Sequence, residues 1–110
     1  MTQSTEATAE NDVNAAINDL ISAATGLSLY EQQWYLRNST QLSSERAWGR
    51  LARGHDWTMA DLIDLAITWN VTTGWLATAI EAVATGSDPE AVVAEYGLDR
   101  RSYITEAGGQ

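Results

Sequence analysis

The fold is decided by a stretch reading Leu42-Ser43-Ser44-Glu45-Arg46-Ala47-Trp48-Gly49-Arg50-Leu51-Ala52-Arg53-Gly54, then His55-Asp56-Trp57-Thr58, then Asp61-Leu62-Ile63-Asp64-Leu65-Ala66-Ile67-Thr68-Trp69-Asn70-Val71-Thr72. Its first part reads as a short helix with Ser44 as N-cap, because a serine hydroxyl accepts a hydrogen bond from an otherwise free N–H of the first turn. Gly54 ends it, since glycine takes the left-handed conformation of a helix stop. Ala47, Trp48 and Leu51 fall on the inward face. Glu45, Arg46, Gly49, Arg50 and Arg53 fall on the outward one. The second part reads as a helix opened by Thr58, with Asp61 three residues on to complete a capping box. Leu62, Leu65, Ala66 and Trp69 make its apolar stripe. Asn70 tolerates the positive φ of the stop, and Thr72 caps the next helix.

The flanks extend the same pattern. Residues 1–12 are polar and acidic and predict a disordered tail. Val13, Ile17, Leu20, Ile21 and Ala24 follow helical spacing over 13–24, and Gly26 suits the stop position. Ser28 with Glu31 forms a capping box for a second helix, reaching about residue 37 where Asn38 ends it. Downstream, Trp75, Leu76, Ala79, Ile80 and Val83 predict a helix from the Thr72 cap to about residue 85. Asp88 with Pro89 in the first turn opens another, ended by Gly97. A last turn falls over 99–107. No period-two strand pattern occurs. The expectation is an all-α chain of five to seven helices: a tail at 1–12, a main domain at 13–86 and a helical C-terminal extension at 87–110.

Composition narrows the function classes. The chain has 110 residues, 45% of them apolar, which is material for one modest core. It has no cysteine, so disulfides, thiolate zinc sites and thiol catalysis are excluded. No apolar run approaches membrane-spanning length. The N-terminus does not read as a signal peptide, so a soluble intracellular (cytoplasmic) protein is expected, with no membrane partner. Asp61 and Asp64 are the nearest thing to an acid–base or metal couple. No histidine or third carboxylate joins them locally, and Asp61 already has a capping role. The chain is therefore read as no enzyme, with no cofactor and no metal.

Net charge is −9, which opposes binding to a polyanion, so its distribution matters. Residues 1–27 carry Glu6, Glu10, Asp12 and Asp19 and no base. Residues 28–80 set Glu31, Glu45, Asp56, Asp61 and Asp64 against Arg37, Arg46, Arg50 and Arg53. That middle is nearly neutral, and three of its arginines share one short helix.

The order of elements resembles the lambda-repressor-like (Xre/Cro-type) helix-turn-helix family. The resemblance rests on Gly26-Leu27-Ser28 after the first helix and on Ser44, Trp48, Leu51 and Gly54 in the third. It continues with Leu65-Ala66, Asn70-Val71-Thr72 and Trp75-Leu76. It covers roughly residues 13–80. It implies a sequence-specific DNA-binding transcriptional regulator of the kind of the phage and prophage immunity repressors of high-GC bacteria. The partner implied is double-stranded DNA, read in the major groove.

By match to the family, Ser44, Glu45, Arg46, Gly49 and Arg50 face the groove. Arg53 stands at phosphate, and Gly49 gives close backbone approach. Arginine is the best donor pair for guanine O6 and N7. The second helix would cross the phosphate backbone through Ser28, Gln32, Gln33 and Arg37. A homodimer through the fifth helix (Trp75, Ile80, Val83) or through the C-terminal extension is expected, with Arg100 and Arg101 as a less favoured second DNA contact. The competing reading is a protein-interaction module on the same fold, an antitoxin-like partner or an acidic DNA mimic. It gains if carboxylates neutralise the arginine face.

Overall fold

An alanine- and leucine-rich chain with one proline has few obstacles to helix formation, and the computed structural model is helical throughout. It describes the backbone of residues 2–108 and the side chains of residues 12–104. Among the described residues there are seven helices and no strand: α1 Thr2–Thr25, α2 Leu29–Ser39, α3 Ser44–Ala52, α4 Met59–Thr68, α5 Thr73–Ala84, α6 Pro89–Tyr96 and α7 Arg101–Gly108. The all-α expectation holds.

Local signals account for most boundaries. Ser28 and Thr58 form full capping boxes with Glu31 and Asp61. Thr72 and Asp88 cap α5 and α6 by accepting from Trp75 and Ala91 N–H. Among the described residues Asn70 is the one non-glycine at positive φ, +58°, at the turn between α4 and α5.

Three boundaries differ from expectation. The α1 backbone is helical from Thr2 rather than from residue 13; most of the segment expected to be a disordered tail (residues 1–11) carries no described side chains. α2 continues past Asn38 to Ser39, with Thr40 as its C-cap. The N-cap of α3 is Ser43, whose hydroxyl accepts from Arg46 N–H, and Ser44 is the first helical residue. Two adjacent serines offer the same cap chemistry, and neither has a carboxylate three residues on to break the tie.

One core runs through the molecule. Ala16, Ile17, Leu20, Ile21 and Ala24 form a buried ridge on α1. That ridge meets α5 (Leu76, Ala79, Ile80) and α6 (Val92, Val93). The C-terminal segment is therefore part of the same core, and Arg100 N–H further ties it to Ala24 C=O at 2.8 Å. Of the three α5 residues expected to drive dimerisation, Trp75 is exposed, Val83 is half-buried and Ile80 belongs to the core of the monomer. Trp75 lies against Tyr96, ring centroids 5.1 Å apart, and its indole N–H donates to Tyr96 C=O.

The α2–α3 pair sits on this frame. Leu36, Ala47 and Leu51 are its buried apolar side chains, beside Leu42 and Trp57. Trp48, expected inward, is only half-buried. Trp69 at the end of α4 is 1% exposed and donates its indole N–H to the Tyr35 hydroxyl on α2 at 2.9 Å.

Trp69→Ala should therefore cost about 3–5 kcal/mol of folding free energy in urea denaturation. At the α4–α5 turn, Asn70→Ile should cost about 1–2 kcal/mol for its left-handed backbone, whereas Asn70→Gly should leave the midpoint nearly unchanged.

Candidate nucleic-acid interface

The first turn of α3 follows a connection of residues 40–43, and its side chains divide by position. Ala47 and Leu51 point to the core. On a 3.6-residue period, Glu45, Gly49, Ala52 and Arg53 then lie on the far side, with Arg46 and Arg50 flanking toward α4. Glu45 and Arg53 are exposed, as expected. The Arg46 side chain is 58% exposed.

Arg50 corrects the expectation. Its side chain is only 11% exposed, and its Nε donates to Asp61 Oδ2 at 2.5 Å. It does not face outward and is not free to reach a base edge. The reason is the loop between α3 and α4, which brings Asp61 in the first turn of α4 within reach of the Arg50 side chain.

Asp61 is 4% exposed. Its Oδ2 also accepts from Thr58 N–H at 3.0 Å, and its Oδ1 lies 3.9 Å from Arg46. Burial pushes the carboxyl pKa up, but the hydrogen bonds from Thr58 and Arg50 and the guanidinium charge outweigh it, so the group is held below the usual carboxylate value. Arg46 and Arg50 thus share one buried anion, leaving about one net positive charge between them.

Gly49 is also corrected. It is buried, and a Cβ built there would lie 2.5 Å from His55 Nδ1. The imidazole, not an open approach path, occupies the space beside it. Gly54 at φ +72° turns the chain back so that His55 N–H donates to Gly49 C=O at 3.0 Å, closing the end of α3.

The α2 residues expected at phosphate have other partners. Gln32 is buried, its amide donating to Ser22 Oγ and Leu27 C=O. Gln33 donates to Ser44 C=O at 3.2 Å, fastening α2 to the first turn of α3. The Ser28 hydroxyl holds Glu31 N–H. Arg37 is exposed, with its guanidinium 5.1 Å from the Trp34 ring centroid. Arg100 donates to Trp69 C=O, and Arg101 pairs with Asp99 and Glu90, so neither extends the α3 surface.

Sequence reading missed the device that orients α3. Asn14 and Asn18, one turn apart on α1, each use both ends of the amide. Asn14 donates to Asp56 and accepts from Trp57 N–H. Asn18 donates to Arg50 C=O and accepts from Trp57 indole N–H at 2.9 Å. Two amides at i and i+4 beside the apolar ridge of α1 were the available signal.

The Asp61 cluster yields a test. Arg50→Ala should cost about 3 kcal/mol, since it leaves a buried carboxylate short of its partner. Arg46→Ala should cost under about 1 kcal/mol, as an exposed partner does. A depressed folded-state pKa stabilises above the unfolded value, and that gain is lost as pH falls through the folded one. Stability measured below about pH 4 should therefore fall less steeply in Asp61→Asn than in the parent chain.

Comparison with protein-family models, with curated proteins and with solved structures finds no match to this chain.

Proposed function

We propose that the chain is a sequence-specific DNA-binding regulator of the helix-turn-helix kind, docking the first turn of α3 in the major groove. The observation that carries this reading is the exposed N-terminal face of α3, with Arg46 turned outward on a short helix buttressed by α1, α2 and α4. A helix presented this way suits the width of the major groove, and its N-terminal residues lie nearest the bases. The contact set is narrower than the sequence implied. Arg46 is the base reader, with Glu45 accepting from cytosine or steering Arg46. Arg53 and Arg37 approach phosphate. Arg50 is a positioning residue that acts through Asp61.

With so few cations at the duplex and a chain charge of −9, non-specific affinity is weak and the salt slope shallow. Paired half-sites follow if two copies bind together.

One observation favours the competing class. Asp61 compensates the arginine face from within, as suits a protein-interaction module whose acidic surface meets a basic partner. The two readings separate by selection of bound genomic fragments at moderate salt. Discrete enriched sites are expected, and Arg46→Ala should lose about 1–3 kcal/mol of specific binding while remaining fully folded at the assay temperature. No enriched site, or full affinity in both Arg46→Ala and Arg53→Ala, would overturn the DNA reading.

A further inference from the structure

A groove of about 990 Å³ opens away from α3, between α2, the α4–α5 turn and the start of α7. None of its lining residues belongs to α3. Tyr30, Trp34, Tyr35, Trp69 and Tyr103 supply its aromatic wall, and Tyr30, Trp34 and Tyr103 are 61%, 39% and 64% exposed. Large rings left in water around one concavity are the usual mark of a ligand site.

The charges beside the groove decide the ligand class. Arg100 lines it, with its guanidinium 5.8 Å from the Tyr103 ring centroid. Arg37 lies over Trp34 at the rim. Among the described residues neither forms an ion pair. Arg100 is fixed by carbonyls instead: Trp69 at 2.6 Å, Asp99 at 3.2 Å and Gly97 at 3.3 Å. These bonds hold its position while its charge is unmatched by an ion pair. The single carboxylate of the lining, Glu31, accepts from Ser28 N–H in the capping box of α2. Cations already stand over two of the aromatic faces, so a cationic ligand is disfavoured there. An anion on a flat ring satisfies both features, with the ring stacked on the wall and the anion at Arg100.

We infer that this groove binds a small planar aromatic carboxylate, stacked between Trp34 and Tyr103 with its anion at Arg100. The inference goes beyond DNA docking and does not depend on it. The test uses the full chain with three probes: 1-naphthoate, its neutral amide 1-naphthamide, and non-aromatic cyclohexanecarboxylate. Calorimetry should give saturable 1-naphthoate binding at least about tenfold tighter than either control. Amide NMR shifts should centre on Trp34, Trp69 and Tyr103. Equal affinity for a control, shifts centred elsewhere, or no saturable binding overturns the inference.

In Arg100→Gln the preference for naphthoate over naphthamide should vanish. Because Arg100 also anchors the α4–α5 turn, Tyr103→Ala provides a second variant at an exposed site. It should keep its melting temperature and lose about fivefold in naphthoate affinity. Unchanged affinity in folded Tyr103→Ala likewise overturns the inference.

Discussion

A carboxylate removed from water must be met by donors or positive charge, or it will not remain ionised. Asp61 is such a group, and three residues converge on it. It closes the first turn of α4 through Thr58, fixes Arg50 on α3 and reaches Arg46 at the surface. The angle between α3 and α4 is coupled to one ionised side chain. That coupling gives Arg50 a place in the scaffold and leaves Arg46 as the outward cation of the pair. The exposed face of α3 and its packing are set by the same contact.

The local grammar of the chain was largely legible. Caps at Ser28, Thr58, Thr72 and Asp88, the positive φ at Asn70 and the stops at Gly54 and Gly97 all follow from chemistry within four residues. The core ridge of α1 followed from spacing. What could not be read was which neighbour each polar side chain would find. Arg50 on a helical wheel looks solvated because the wheel contains only its own helix; its partner lies eleven positions along, across a loop. Gln33 looked available to phosphate for the same reason, yet it holds Ser44. Gly49 suggested an opening, but a glycine also makes room for a ring from its own loop. The aromatic groove was likewise hidden, because Trp34, Trp69 and Tyr103 meet only when α2, α4 and α7 are assembled.

The distribution of charge gains meaning from these contacts. The chain is strongly acidic, but its arginines are not uniformly neutralised. Arg50 and Arg101 have close carboxylate partners, and Arg46 has one at the limit of contact. Arg37 and Arg100 rest on aromatic rings, where the quadrupole is favourable to a cation without cancelling its charge. Exposed or unpaired guanidinium groups remain at two separate places among the described residues, Arg46 and Arg53 on α3 and Arg37 and Arg100 at the aromatic groove.

The Asn14 and Asn18 amides hold the far end of α3 through the backbone of Arg50 and the loop at Trp57. Two of those three bonds address main-chain atoms, so they are indifferent to the side chains carried on the solvent side. Glu45, Ala52 and Arg53 take no part in them. Sequence drift at these three places can rewrite what the helix contacts while its posture stays constant. The clasp separates the evolution of that exposed surface from the evolution of stability.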